Sequence, residues 1–319
     1  MAVLATAGTA FAQSTVTLSG TFSAGYQSFE SAAVTAVPFA TDVTTGVMTG
    51  KVAAAAKTNK GLNTASDSAI KATIVEDLGG GLKLTVAGQF ALGGTRSGSV
   101  NKEDTSLTLA GGFGSLAIAN TRTSDTAGNA LVFASSLPLG FYNAIVNPVR
   151  ANADVLSYTS PEVMPGLKFG IARAEWTQGD TTSAITQNIL SATYAAGPLM
   201  LAVAQKSFSG AIATTTEKSN TELAATYDFG VAKVGLGHSS AIDTTTAYTG
   251  KKLTSYGISV PVGALTFGFN GAKRGDNNYY DAGINYSLSK RTTARAHFGK
   301  IEGGSNAGNQ YRVGLVHTF

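Results

Sequence analysis

The chain has 319 residues, a formal net charge of +4, and only 13% charged residues against 43% hydrophobic ones. It contains no cysteine, which excludes disulfides, zinc–thiolate sites and a cysteine nucleophile. No apolar run approaches the roughly 18 residues of a membrane-spanning helix. The basic residues are scattered singly along the chain, so we expect no nucleic-acid partner.

The N-terminal stretch predicts an exported protein. The sequence MAVLATAGTAFAQ places Ala10-Phe11-Ala12, an A-x-A cleavage pattern, behind a short apolar segment. A basic n-region is missing, so the stretch has the form of the end of an export signal; an ordinary disordered N-terminus is the alternative. We therefore expect residues 1–12 to be a signal-peptide remnant and residues 13–319 to form a single domain.

Period-two alternation dominates the rest of the chain. In 15–27, Val16 and Leu18 share one face of an extended segment, whereas Thr17 and Ser19 share the other. Alternation of this kind recurs in about sixteen segments. They are 15–27, 68–76, 82–92, 104–110, 115–121, 153–160, 167–176, 187–195, 199–207, 220–228, 231–239, 252–260, 264–272, 279–287, 291–300 and 309–319.

The connections between these segments alternate in length. Short connections such as 77–81, 196–198 and 288–290 alternate with longer ones that are rich in Thr, Ser, Gly and Ala. The longer connections are 28–67, 121–152, 177–186, 208–219, 240–251, 273–278 and 301–308. The stretch 28–67 has no strong pattern of its own, and we expect a flexible surface loop there.

Together these patterns predict an all-β fold, a transmembrane antiparallel β-barrel of sixteen strands with short periplasmic turns and long outer loops. Lipid offers no hydrogen bonds, so spanning strands must pair with one another and close into a ring. Their side chains then alternate between the lipid and the lumen. A soluble β-sandwich also alternates, but it needs neither so few charges nor such a regular succession of short and long loops.

Several stretches resemble the general diffusion porins of Gram-negative outer membranes, particularly the trimeric sixteen-stranded type of β-proteobacteria. The matching stretches are 76–83, 113–116, 158–169, 286–292 (YSLSKRT) and the last strand, 313–319 (VGLVHTF). The resemblance implies a homotrimer in the cell outer membrane, in contact with its lipid and lipopolysaccharide. It also implies that Phe319 is an assembly signal for the barrel-assembly machinery, and that the third outer loop, at 121–152, folds inward.

The function that follows is passive diffusion of small hydrophilic solutes and ions through a water-filled pore. A substrate-specific outer-membrane channel with an affinity site is the alternative. The inward-folded loop would bring Arg122, Asp125 and Arg150 to the constriction. By parity, the inward-facing basic residues are Lys71, Lys83, Lys168, Lys233, Arg295 and Arg312, and the inward-facing acids are Asp104, Glu222, Asp228 and Asp281.

We expect Lys71, Arg295 and Arg312 to form one basic wall near mid-depth, because barrel closure makes their strands neighbours. A focused positive field would favour anions in the pore. However, positions at which the resembled family often carries arginine hold other residues here, so we expect a weak anion preference at most. Those positions hold Ala69, Glu103, Asn120 and Ser157.

No motif points to an enzyme. His238 and His317 fall on the outward parity, and His297 faces inward beside Arg295 without a nucleophile motif such as G-x-S-x-G. No Walker, EF-hand or zinc motif is present. We therefore expect no enzymatic activity, no metal and no cofactor.

Overall fold

The computed structural model describes residues 14–31, 37–41, 48–51, 57–64, 68–92, 100–122, 152–176, 185–209, 219–242, 251–303 and 307–319. They form nineteen strands. The first ten are β1 (Ser14–Ser31), β2 (Val37–Thr41), β3 (Met48–Lys51), β4 (Lys57–Thr64), β5 (Ala69–Gly79), β6 (Leu82–Leu92), β7 (Val100–Gly111), β8 (Gly114–Arg122), β9 (Asn152–Thr159) and β10 (Leu167–Trp176). The others are β11 (Ile185–Ala196), β12 (Leu199–Ser209), β13 (Ser219–Asp228), β14 (Lys233–Ile242), β15 (Lys251–Val262), β16 (Leu265–Arg274), β17 (Asn277–Ser287), β18 (Thr292–Glu302) and β19 (Gly308–Thr318). Within these described ranges, no helix has the length and apolar character needed to cross a membrane.

One antiparallel sheet of seventeen strands closes on itself. From β5 to β19 each strand pairs with its neighbours in chain order, β19 pairs with β1, and β1 pairs with β5. Because β4 borders β1 and does not continue round the ring, the barrel wall has sixteen strands, as the alternation predicted. The short strands β2 and β3 form a separate hairpin.

The ring closes along β1. Thr21–Phe29 of β1 pair with β19 on one side. On the other side, Ser14–Thr21 pair with β5 and Ala24–Ser31 pair with β4. At the point where β1 changes partner, the Ser23 amide donates to Ser68 Oγ at 2.9 Å. The first and last strands of the ring therefore meet in one seam, and no strand of the sixteen-stranded wall is left with an open edge toward lipid.

The short connections lie at one end of the barrel, as predicted. At 77–82 and 196–199 they contain glycines with positive φ, which other residues adopt only with strain. Gly166 shows the requirement most sharply: its φ is +82°, and a Cβ there would lie 2.1 Å from the Ala195 carbonyl oxygen. On the opposite side, the predicted loop 273–278 is only a turn at Gly275–Asp276, because β16 and β17 remain paired to their ends.

The expectation of a flexible surface loop over 28–67 is wrong for much of this stretch. Residues 28–31 extend β1, and β4 pairs with them in register. Main-chain hydrogen bonds of a sheet can be made by almost any sequence, and Lys60 and Leu62 of β4 are both exposed. Because one face of β4 carries both a charged and an apolar residue, this hairpin left no periodic signal in the sequence.

Candidate functional site: the lumen face of the barrel

The two faces of the barrel wall differ in chemistry. On β1 the outward-facing Val16 and Leu18 are 72% and 63% exposed, whereas the inward-facing Ser23 is 2% exposed. On β19 Val313 is outward and half exposed, and the alternate positions hold Arg312 and other inward residues. Apolar outer and polar inner faces are what a barrel in lipid with an aqueous interior requires.

Two arginines meet on the lumen face beside the closing seam. Arg295 on β18 is opposite Gly314 on β19, and Arg312 lies two residues farther along β19, opposite Gln27 of β1. Both arginines line one narrow recess together with Gln27. Two guanidinium groups at one level of the wall create a local positive potential, which raises the concentration of anions nearby.

His297 and Asp281 complete this part of the wall. His297 lies opposite Arg312, and its Nε2 is 3.1 Å from Asn285 Oδ1 on β17. Asp281 is buried, bonds to the side chain of Tyr279 and lies within electrostatic range of Arg312. In its ionised form Asp281 offsets part of the positive charge of the arginine pair.

A buried ion pair lies farther round the lumen; its acid, Glu222, was predicted to face inward, but its base, Lys206, was not. Lys206 Nζ on β12 is 2.7 Å from Glu222 Oε1 on β13, with side chains 7% and 0% exposed. Asn220 Nδ2 donates to the same carboxylate oxygen and to Ser239 Oγ, both at 3.3 Å. Parity could have found Lys206, since Leu201 and Val203 mark the outward positions of its strand. The pair contributes no net charge to the lumen.

A β-bulge places Glu103 on the lumen side. Gly88 pairs with Thr105 and Phe90 pairs with Lys102. Gln89, the single residue between Gly88 and Phe90, therefore lies opposite both Glu103 and Asp104. The amide of that residue, Gln89, donates from Nε2 to Glu103 Oε2 at 2.5 Å. Simple parity assigns only one of the two acids to the lumen. The bulge therefore adds a negative group that parity alone does not give.

Burial along the lumen wall is uneven. Inward residues of β12 to β17 are mostly buried, although they face the interior of a wide ring; they include Ala204, Glu222, Ser239, Ser255, Asn270, Arg274 and Tyr279. By contrast, Lys71 of β5 and Thr17 of β1 are exposed on the same face. Buried inward residues also occur on β1, β10 and β11, namely Ser23, Ala174 and Gln187, so the buried part of the lumen face is not confined to β12 to β17.

Comparison with known proteins identifies the family. The Gram-negative porin family model matches residues 1–306. The chain belongs to this family. It is an outer-membrane porin, a channel for passive diffusion of small hydrophilic solutes. No curated protein matches the sequence significantly.

Solved porin structures share the fold. An anion-selective porin from Comamonas acidovorans superimposes with a TM-score of 0.66 at 22% identity, over 96% of this chain and 100% of that one. An engineered triple variant of the Rhodopseudomonas blastica porin superimposes with a TM-score of 0.61 at 11% identity, with the same coverage. These similarities confirm the predicted closed β-barrel.

The porin structure does not bring the three predicted wall residues together. Lys71 is opposite Ser19 of β1, whereas Arg312 is opposite Gln27 of the same strand. These two positions on β1 are about 25 Å apart at roughly 3.3 Å per residue. The predicted wall is therefore a pair, Arg295 and Arg312, with Lys71 on its own. Counting residues from the strand ends could not show this, because it ignores the stagger of β1 against β19.

The predicted constriction residues fall largely outside the described part of the porin. Asp125, Arg150 and the rest of 123–151 lie outside the described residues, as does the export-signal remnant 1–12. Arg122 is the last residue of β8 and pairs with Asn152. It has the strand parity of Leu116 and Ile118, which face outward, and its side chain is outside the described set. Asn120 shares that outward parity, so it is not a lumen position.

The histidines of the porin lie where parity predicted. His238 and His317 face outward and contact Thr254 and Thr292 on neighbouring strands. His297 faces the lumen. In the described ranges, no group of three or more His, Asp or Glu side chains is placed to bind a metal ion.

Phe319 closes the ring of the porin. Its amide donates to the Gly20 carbonyl at 3.1 Å, and its carbonyl accepts from the Gly20 amide at 3.0 Å. The terminal residue therefore completes the pairing of β19 with β1, and its aromatic ring lies on the outward face, where aromatic girdles form.

Proposed function

We propose that this porin sorts solutes by size first and only weakly by charge, with a slight preference for anions. The observation that supports this is the Arg295–Arg312 pair on the lumen face beside the seam, whose charge Asp281 offsets in part when it is ionised. The charge of Lys206 is neutralised by Glu222, so this pair favours neither anions nor cations. The Comamonas porin of the same fold is described as anion-selective, which agrees in sign.

Single-channel recording in a planar bilayer tests this function. We expect an ohmic conductance that rises with salt concentration and a small reversal potential of anionic sign in a salt gradient. The preference should shrink as salt rises, because the Debye length falls below about 10 Å above 0.1 M. A current that saturates with one particular solute would contradict general diffusion and would favour the substrate-specific channel.

We propose that the segment between β8 and β9, residues 123–151, folds into the lumen, with Asp125 and Arg150 near the constriction. The burial of lumen-facing residues such as Ala204, Glu222 and Ser255 in a wide ring supports the proposal. Replacing residues 128–145 by a short Gly/Ser linker should then raise the single-channel conductance. A conductance equal to that of the native porin would place the segment outside the permeation path.

We propose that the porin is a homotrimer, as its resemblance to the general porins implies. A large apolar outer face on β1 and β19, including Val16, Phe22 and Val313, is compatible with subunit contact as well as with lipid. Analytical ultracentrifugation of the purified protein in density-matched detergent measures the assembly directly. A monomer mass under mild detergent would refute the proposal.

We propose that Phe319 is read by the barrel-assembly machinery. The residue is the last of a strand whose outward positions are apolar or aromatic, and it pairs with Gly20 at the seam. Removing Phe319 should lower the amount of porin in the outer membrane. Molecules that do insert should keep their conductance. An unchanged yield in cells would contradict an assembly role for Phe319.

A further inference from the structure

A small recess lies on the lumen face where β1 meets β19. We call it the seam recess; it is lined by residues 23–27 of β1, Arg295 of β18 and residues 312–314 of β19. Gly25 and Gly314 are opposite each other at its centre. A Cβ on Gly25 would clash with the Val313 carbonyl oxygen, and a Cβ on Gly314 would lie 2.5 Å from the Ala24 carbonyl oxygen. The close approach of the two strands therefore requires glycine at both positions, and the missing side chains leave the recess.

Four side chains that can donate hydrogen bonds surround the glycine pair. Arg295 and Arg312 contribute guanidinium groups, and β1 contributes Ser23 and Gln27. Ser23 and Gln27 are each two residues from Gly25, in opposite directions, so they lie at the two ends of the recess. Guanidinium groups only donate, and hydroxyl and amide groups can donate as well. Of the described residues that line the recess, none is acidic.

The Ser23 hydroxyl indicates that the recess holds a ligand. Ser23 is 2% exposed and faces the lumen. Its main-chain amide donates to Ser68 Oγ at 2.9 Å, but its own Oγ has no hydrogen-bond partner within the described ranges. A buried hydroxyl without a partner is unfavourable. An acceptor held in the recess would receive its hydrogen bond.

The two guanidinium groups also favour an anion at this point. Arg295 is opposite Gly314, and Arg312 lies two residues along β19, so the arginines are diagonal neighbours whose Cα atoms are about 7–8 Å apart. Both are half-buried, and both lie within electrostatic range of His297. Asp281 lies within range of Arg312 but does not line the recess. An anion between the arginines would convert their mutual repulsion into charge-assisted hydrogen bonds.

We propose that the seam recess binds one monatomic anion such as chloride, held by Arg295, Arg312 and the Ser23 hydroxyl. Its volume is about 10 Å³, roughly the space of one water molecule, so phosphate and carboxylate solutes do not fit inside it. The arginine side chains are flexible and can adjust to an ion slightly larger than water. A water molecule in the same place would satisfy Ser23 but would leave the arginine charges uncompensated.

The bound ion would have a structural role. It joins β18 and β19 to β1 through side chains, at the point where the last strand of the ring meets the first. This role goes beyond the charge preference proposed for the pore, because an ion fixed in the wall is independent of which ions cross the open channel. It also predicts that chloride stabilises the folded porin, since a ligand that binds only the folded state raises its stability.

The position of the ion can be tested by anomalous diffraction from crystals of the full-length porin grown in sodium bromide. We expect a bromide peak within hydrogen-bonding distance of both guanidinium groups and of Ser23 Oγ. Density in the recess without an anomalous signal would identify the occupant as water and would overturn the proposal. Bromide peaks elsewhere in the lumen, with none in the recess, would overturn it as well.

A hydroxyl deletion tests the site without changing any charge. Chloride binding to the purified porin in detergent is measured from the ³⁵Cl NMR line width, with chloride exchanged for gluconate at constant ionic strength. Ser23→Ala should bind chloride about tenfold more weakly, since a hydrogen bond to a charged group has an effect of this order. The control is Ser259→Ala, which removes another buried hydroxyl, on β15, and should bind as the native porin does. Equal binding by all three proteins would overturn the proposal.

Stability and selectivity measurements separate this site from the proposed function. Chloride should raise the urea midpoint of the native porin and of Ser259→Ala in a saturable way, and should raise that of Ser23→Ala much less. The reversal potential of Ser23→Ala at low salt should keep its anionic sign, because both arginines remain. An anion-preferring pore without a bromide peak would refute only the recess site. A bromide peak in a pore without charge preference would refute only the proposed selectivity.

Discussion

Single glycines determine how closely the strands of the seam approach. A Cβ on Gly20 would lie 2.5 Å from Phe319 Cζ and 2.8 Å from the Ala69 carbonyl oxygen. An aromatic ring over a glycine recurs on the outer face, where the Tyr256 ring lies across Gly271. Such contacts bury the exposed backbone that a glycine leaves in a strand. The terminal Phe319 thus has a packing role as well as its backbone pairing.

Substituting Gly20 by Ala should therefore loosen the seam. We expect a loss of about 1–3 kcal/mol in the free energy of unfolding, since the ring and a main-chain oxygen must both move. Urea titration of the porin in lipid vesicles measures this quantity. Gly88→Ala is the control, because the nearest atom to its added Cβ would be Thr105 Cγ2 at 3.9 Å. Equal destabilisation by both changes would show that general strand propensity, rather than the Phe319 contact, is responsible.

The buried Lys206–Glu222 pair is expected to behave as a unit. Replacing Glu222 alone by Gln leaves the Lys206 ammonium without its carboxylate and should reduce the free energy of unfolding by about 3–5 kcal/mol. Replacing both, as in Lys206→Met with Glu222→Gln, should be less damaging than that single change. Urea titrations of the single and double variants give the comparison. A double variant as unstable as the sum of its singles would mean that the two residues are not coupled.

Residue parity predicts most of the lumen but fails where the backbone is irregular. Lys206 could be assigned inward from the apolar residues on either side of it. Glu103 could not, because a bulge opposite Gln89 places two consecutive residues on one face. Bulges depend on the register of the neighbouring strand, which no single segment of sequence contains.

At the scale of elements, alternation located the sixteen wall strands but underestimated their outer ends. Lipid contact imposes apolar residues on one face, so the pattern is strong within the membrane and disappears beyond it. β1 continues to Ser31 and pairs with β4, which has no such pattern. Strand pairing outside the membrane is therefore a property of the backbone, and it becomes visible only in the folded chain.

The change of partner along β1 depends on one hydroxyl. Between its β5 and β4 pairings, the buried Ser23 amide donates to Ser68 Oγ at 2.9 Å, and the Ser68 carbonyl accepts from Leu92. Ser68→Ala should cost about 1–3 kcal/mol in unfolding free energy, because a buried amide loses its acceptor. Ser68→Thr keeps the hydroxyl and should recover most of the loss, as measured by urea titration. No difference between Ala and Thr would indicate that the hydroxyl is dispensable.

At the scale of the whole molecule, closure decides which charges act together. The sequence predicts that β5, β18 and β19 lie near one another, since the last strand must pair with the first. It does not give the stagger between them. The structure shows that β19 ends opposite Gly20, leaving residues 14–19 of β1 to pair only with β5. This stagger separates Lys71 from Arg295 and Arg312.

The final prediction uses this separation to locate the selectivity of the pore. Replacing Arg295 and Arg312 together by Gln removes two charges from one level of the wall, so the reversal potential should shift toward cations at low salt. Lys71→Gln removes a charge about 20–25 Å away along β1, beyond the roughly 10 Å screening length at 0.1 M. We expect a clearly smaller shift for Lys71→Gln. We expect no shift for Lys206→Met with Glu222→Gln, because this pair carries no net charge. Reversal potentials in a salt gradient across planar bilayers, at 0.05 and 1 M salt, measure all three. An equal shift for Lys71→Gln and the arginine pair would mean that the lumen charges act as a uniform field, and that the seam has no special part in selectivity.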